Sequence, residues 1–212
     1  MSGSTRPTVM IISGNDPSGG AGQAADLQAV TALGAHPAPV ITSLTVQDTR
    51  NATRVEPAEP ELVAAQMRAV LDDQAVAAVK IGLLASAGIA RAVAAVLADM
   101  EPRVPVVLDP VLVAAGGAVL AERDLAGVLL DSLMPLATVV TPNAHEIREL
   151  AGGDGGRKEQ AQRLLARGAR FVLAKGGDEE TPDVVNTLYG AGGEERTWRW
   201  PRLAGEFHGS GC

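Results

Sequence analysis

The sequence predicts an α/β fold with a mostly parallel central sheet and helices on both faces. Short apolar runs alternate with segments of helical period along the chain, and short loops join them. One run, Val104 to Leu108, is almost continuously apolar, as in a parallel strand covered on both sides. Polar residues with chemistry to offer recur at the carboxyl ends of these runs, where open α/β sheets bind ligands.

In order, Val9 to Ile12 is too brief for a helix and reads as a strand. It ends at Gly14-Asn15-Asp16-Pro17-Ser18-Gly19-Gly20-Ala21-Gly22, a loop dense in turn residues. Ala24 to Leu33 reads as a helix with Gly34 just past its end. Val40 to Val46 is a strand closing on Gln47, and Arg54-Val55-Glu56 a small extra strand. Pro60 to Asp73 carries Leu62, Val63, Gln66, Met67, Val70 and Leu71 near helical spacing. Ala77 to Gly82 is the next strand, and Ser86 can cap a helix running to about Met100. After the 104–108 strand come a helix over roughly Glu122 to Leu133 and a strand at Thr138 to Thr141. Asn143 with Glu146 three residues on is a helix-starting pair. Gly152 to Gly156 is a loop, Lys158 to Arg167 a helix stopped by Gly168, and Phe171 to Ala174 a strand. Val184 to Tyr189 and Arg196 to Trp200 form a hairpin around Gly190 to Gly193.

At 212 residues the chain suits one domain. Its net charge of −7 lacks the cationic field that nucleic acid or an anionic membrane would attract, so no partner of either kind is expected. Aromatic residues make up 2%, which argues against base stacking on aromatic platforms. A single cysteine excludes an intrachain disulfide, and the first residues carry no long apolar run, so a reducing cytoplasmic location is expected. Only three of the eighteen basic residues are lysines, Lys80, Lys158 and Lys175, and codon bias does not account for where two of them stand.

Two carboxylates at different strand ends, Asp109 and Glu146, stand with Lys175 and glycine-rich backbone as a candidate Mg²⁺ and polyphosphate site. Magnesium keeps several waters, so two carboxylates and a substrate phosphate suffice. The plainer readings are a pre-proline turn for Asp109 and a capping partner for Glu146. Lys175 offers a fixed positive charge to a transferring phosphoryl group, and Gly176-Gly177 allows close backbone approach. His145-Glu146 has no histidine four residues after His145, which excludes a zinc-protease helix. The chain closes on His208-Gly209-Ser210-Gly211-Cys212, where Gly209 and Gly211 can bring N–H groups to an anion and Cys212, as its thiolate, can accept a proton.

The motifs Ser13 to Gly22 with Asp26, Thr45 to Thr49, Lys80 to Leu84, Leu108 to Val111, Thr141-Pro142-Asn143, Lys175-Gly176-Gly177 and His208 to Cys212 occur in one order. Together they resemble the hydroxymethylpyrimidine/phosphomethylpyrimidine kinases, ribokinase-superfamily enzymes of thiamine biosynthesis. The resemblance runs from about Val9 to Cys212. It implies a ribokinase-like fold and phosphorylation of 4-amino-5-hydroxymethyl-2-methylpyrimidine, then of its monophosphate, by ATP with Mg²⁺. By the same resemblance Gly14, Asp26 and Gln47 bind the aminopyrimidine and Leu83 forms an apolar wall. Asn143 and Lys175 hold the ATP phosphates, and Asp109 and Glu146 manage magnesium. Gly209 to Cys212 make the anion hole, with Cys212 as the base, and a homodimer through sheet edges is implied.

The sequence departs from that family at Ala114 to Gly117, where many relatives carry a lysine, and at Asp178, where many carry histidine. The resemblance also implies further helices after the cysteine. Residues 1–212 therefore read as one ribokinase-like kinase domain, incomplete at the C-terminus with its last helices missing. An α-carboxylate at Cys212 would oppose a transferring phosphoryl group, since unit charges about 4 Å apart repel by roughly 4 kcal/mol at an effective dielectric of 20. A chain ending there is expected to be a poor kinase, and the natural protein is expected to continue. Two other readings stay open at this stage: a pyridoxal kinase, which shares the phosphate machinery, and a non-catalytic pyrimidine-binding module.

Overall fold

The computed structural model describes residues 6–112 and 124–205. Among them nine strands form one sheet in the order β3-β2-β1-β4-β5-β6-β7-β8-β9. β1 (Thr8–Asn15), β2 (His36–Gln47), β4 (Val76–Ile81), β5 (Val106–Leu108), β6 (Val139–Val140) and β7 (Phe171–Ala174) run parallel. β3 (Ala52–Pro57), β8 (Asp183–Gly190) and β9 (Glu195–Pro201) are antiparallel. β1 lies between β2 and β4, so the chain reverses its direction of travel across the sheet there. That reversal opens a crevice beyond the strand ends.

Strand alternation separates the two faces. Met10, Ile12, Val79, Ile81, Val106, Leu108, Val140 and Val172 point into one aliphatic core. α2 (Pro60–Asp73), α3 (Ala87–Asp99) and α6 (Arg157–Ala166) cover it with Val63, Met67, Ile89, Val93, Leu97 and Leu164. Each such side chain taken fully out of water contributes about 1.5–3 kcal/mol. α1 (Gly22–Ala32) lies on the opposite face, held there by Gln23 Nε2, which donates to the carbonyls of Ile11, Ser13 and Val40.

The expected elements form, with informative shifts at their ends. β2 starts at His36, four residues before the expected Val40. Pro37 and Pro39 fit because alternate amides face opposite neighbours. His36 N donates to Pro7 of the β1 side, whereas Ile41 N faces away and donates to Gln66 Oε1. The two prolines share the parity of Ile41, so their missing N–H groups face the side where β3 has not yet begun to pair. β5 shortens to three residues after Pro105. α4 (Leu125–Val128) runs on through a π-helical turn at Leu129–Leu133 and a 3-10 turn at Met134–Leu136, past the expected end at Leu133. Its expected start at Glu122 lies outside the described residues, as do Ala114 to Gly117. Among the described residues no helix is long and apolar enough to cross a membrane.

Candidate active site

The residue just past each parallel strand continues the ladder of hydrogen bonds. Gly82 N donates to Ile12 O at 2.8 Å, Asp109 N to Ile81 O at 2.8 Å, Thr141 N to Leu108 O at 2.9 Å and Lys175 N to Pro142 O at 2.9 Å. This backbone continuity sets the side chains of Asp109, Thr141 and Lys175 side by side along the carboxyl edge.

The result is a tight polar cluster. Lys175 Nζ lies 2.9 Å from Asp109 Oδ1, and Thr141 Oγ1 donates to the same oxygen at 2.9 Å. The Asp109 side chain is 7% exposed, so its charge is held by these partners rather than by bulk water. Gly176 follows. A Cβ there would stand 2.4 Å from Val185 O, and Gly176 N donates to Asn186 Oδ1 at 3.0 Å, so β8 backbone closes over the loop. Arg202 clamps that loop by donating to the carbonyls of Gly176, Gly177 and Thr181. Arg157 ion-pairs with Glu179 and donates to Val185 O at 2.9 Å.

Asn143 and Glu146 form a full capping box at the start of α5 (Ala144–Leu150). Glu146 N donates to Asn143 Oδ1 at 2.8 Å, and Asn143 N to Glu146 Oε2 at 2.9 Å. The plainer reading of Glu146 is thus true of one carboxylate oxygen. Burial pushes its carboxyl up to about 7. The bond from Asn143 N–H opposes this, the Asp109 charge adds to it, Lys175 opposes it and Asp178 adds to it. Glu146 therefore shares its electrostatic neighbourhood with Asp109, Lys175 and Asp178. Asp178, one of the positions where the sequence departs from the family pattern, accepts a hydrogen bond from Ala144 N at 3.2 Å. The donor set of Asp109, Glu146 and Thr141 is all oxygen, which fits a hard cation such as Mg²⁺ bound together with phosphate and water.

A second cluster lies at the β1 reversal. Asp26 Oδ2 takes Lys80 Nζ at 2.7 Å and the Ser13 hydroxyl at 3.0 Å, joining α1, β4 and β1. Gly14 sits against Ser43 and Leu83: a Cβ on it would stand 2.5 Å from Ser43 Oγ and 3.3 Å from Leu83 Cδ2. Ser43 Oγ is buried and has no hydrogen-bond partner among the described residues. Thr42 Oγ1 donates to Leu83 O at 2.5 Å, which ties the wall residue to β2. Gln47 ends β2, half-buried.

The glycine-rich loop folds back over Gly14. Gly22 has φ +54°, and a Cβ on it would stand 2.4 Å from Gly14 O, so only glycine fits. Asp16 shapes this loop, accepting from Ser18 N, Ser18 Oγ and Ala21 N. Among the strand-end polar residues, Asp16 has a structural part.

Gly14, Asp26, Leu83 and Gln47 thus lie around the reversal, and Asp109, Lys175, Asn143 and Glu146 further along the same edge. Gly209, Gly211 and Cys212 lie outside the described residues. Sequence reasoning missed Thr141, Arg202 and the role of Lys80. For Lys80 there was a signal, a scarce lysine inside an apolar strand pattern.

A family model described as phosphomethylpyrimidine kinase matches residues 16–212. The chain is 41% identical over 214 residues to the hydroxymethylpyrimidine/phosphomethylpyrimidine kinase of Streptomyces coelicolor, covering 98% of this chain and 78% of that protein. It is 41% identical over 211 residues to the thiamine biosynthesis bifunctional protein ThiED of Geobacter sulfurreducens, covering 98% of this chain but 43% of that longer protein. The solved structure of pyridoxal kinase from Staphylococcus aureus in complex with AMP-PCP and pyridoxal superposes with a TM-score of 0.85. Its sequence identity is 26%, over 98% of this chain and 76% of that one.

Proposed function

Because the chain belongs to the phosphomethylpyrimidine kinase family, a family of phosphotransferases, we propose that it phosphorylates 4-amino-5-hydroxymethyl-2-methylpyrimidine and then its monophosphate with ATP. The observation that carries this is the division of the carboxyl edge into two built parts. One part, around Gly14 and Asp26, offers a largely buried carboxylate and the half-buried amide of Gln47, groups suited to an aminopyrimidine. The other, around Lys175 and Asp109, offers fixed charge suited to phosphate.

In this reading Gly14, Leu83, Gln47 and Asp26 hold the ring, with Asp26 and Gln47 addressing its nitrogens and amine. Asn143 and Lys175 hold the ATP phosphates, and the Lys175 ammonium neutralises charge on the transferring group. Its position is fixed beforehand by Asp109, so little reorganisation is needed in the transition state. Asp109 and Glu146 would hold Mg²⁺, which when bound neutralises phosphate charge. Gly209, Gly211 and Cys212 would supply the anion hole and accept the proton of the substrate hydroxyl. A positioned base of this kind contributes about 10²- to 10⁴-fold.

A homodimer and a cytoplasmic location complete the proposal. Leu44 and Val46 on β2 and Leu62 on α2 are all more than half exposed, apolar surface of the kind a second copy could cover. Light scattering at micromolar concentration should give twice the chain mass. The likeness to pyridoxal kinase supports a second reading, in which pyridoxal is the acceptor. Incubation with γ-labelled ATP and the pyrimidine alcohol tests the first: a labelled phosphate ester is expected, and no label transfer to the pyrimidine in the presence of Mg²⁺ would overturn it.

A further inference from the structure

We propose that Lys80 is a positioning residue that fixes Asp26 as a charge-compensated acceptor for a neutral N–H donor on the ligand. This rests on the reading that Asp26 touches the pyrimidine.

Lys80 sits in the middle of the sheet with apolar neighbours in register, Ile11 on β1 and Val107 on β5. An aliphatic residue would suit that row, and a largely buried ion pair is in general a poor source of stability compared with an apolar pair. Yet the Lys80 and Asp26 side chains are only 23% and 15% exposed, and their charged atoms are 2.7 Å apart. Neighbouring backbone is shaped to admit the pair. A Cβ on Gly82 would stand 2.8 Å from Lys80 Nζ and 3.0 Å from Ser13 Cβ, so this glycine keeps the space that the ammonium and Ser13 fill.

Among the described residues the bonding to Asp26 is one-sided. Lys80 and Ser13 both donate to Oδ2, which fixes the rotation of the carboxylate on a helix that Gln23 already pins to β1 and β2. Held this way, Asp26 presents Oδ1 as its remaining acceptor edge, and its charge is balanced inside the protein. A balanced carboxylate gains little from a cationic ligand and favours an uncharged amine. Lys80 thereby acts on recognition through Asp26, without contact with the reacting atoms.

The test is a double-mutant cycle on the full chain, read by calorimetry with the pyrimidine alcohol and separately with Mg-ATP. Lys80→Met is expected to weaken pyrimidine binding tenfold or more, to raise KM with kcat changed less than threefold, and to leave Mg-ATP affinity within twofold. Lys80→Arg should recover affinity to within threefold of wild type. In an Asp26→Asn background the Lys80→Met change should cost less than threefold. Equal loss in both backgrounds, or no loss in either, would overturn the proposal. Should Lys80→Met alone fail to fold, Lys80→Gln, which keeps a donor to Asp26 without the charge, takes its place in both backgrounds with the same thresholds. A loss above threefold in the Asp26→Asn background, or none in the Asp26 background, contradicts the proposal. If wild type binds pyridoxal and not the pyrimidine, the function reading fails, and the same cycle run with pyridoxal decides the role of Lys80.

Discussion

Lys175 and Asp109 meet at 2.9 Å across the ends of β7 and β5, with the Thr141 hydroxyl of the intervening strand bound to the same carboxylate oxygen. The lysine is thus aimed by the protein before any phosphate arrives. Lys175→Met is expected to lower kcat by about 10²- to 10³-fold, the range for removing one transition-state donor. Binding of the pyrimidine, measured by calorimetry, should change less than threefold. Asp109 left without its cation should also lower stability by about 3–5 kcal/mol, visible in urea unfolding.

Glu146 sets a pH dependence of stability. Its carboxyl is raised by burial to about 7 from an ordinary 4.5, so the native state holds more protons than the unfolded state between those values. Stability contributed by the neutral carboxyl is full below about pH 4.5 and declines as pH rises towards 7. The loss is on the order of 3 kcal/mol, at about 1.36 kcal/mol per pH unit between those two values. Glu146→Gln keeps a capping-box partner without the charge. Melting temperature against pH should slope downwards for wild type between pH 5 and 7.5 and be flatter for the variant. Equal slopes would contradict this account of Glu146.

Gly14 and Ser43 should couple. Gly14→Ala places a methyl group 2.5 Å from Ser43 Oγ and against Leu83, and should raise the Kd for the pyrimidine at least tenfold. Ser43→Ala removes a buried hydroxyl that has no partner among the described residues, a change expected to stabilise by up to about 1–3 kcal/mol. Combined with Gly14→Ala it should recover part of the lost affinity. Calorimetry on the three variants reads both effects.

Asn143→Ala removes the side-chain half of the capping box and should destabilise by about 1 kcal/mol in urea unfolding. If Asn143 also meets ATP phosphate, Kd for Mg-ATP should rise while that for the pyrimidine does not.

Local pattern was enough for much of the fold. The α2 boundaries, Pro60 and Asp73, and those of β7, Phe171 and Ala174, are those the residues predict, because a proline at the helix start and a short bounded apolar run are self-contained signals. The start of β2 was not legible, since the tolerance of Pro37 and Pro39 depends on which neighbour is absent. Asn143 with Glu146 was legible as a cap for the same local reason. The Lys80–Asp26 contact spans 54 positions and Arg202 reaches back to Gly176 across 26, so only the sheet order brings these groups together. Thr141 was hidden by its ordinariness: its hydroxyl matters only because β6 stands between β5 and β7.

The most direct test of the central claim is a competition assay in which wild-type protein, Mg²⁺ and γ-labelled ATP meet equal concentrations of 4-amino-5-hydroxymethyl-2-methylpyrimidine and pyridoxal. The ratio of labelled products gives the ratio of kcat/KM values, and each 1.4 kcal/mol of discrimination is about tenfold. The account predicts that the pyrimidine phosphate predominates by at least tenfold. Predominant labelling of pyridoxal would contradict it.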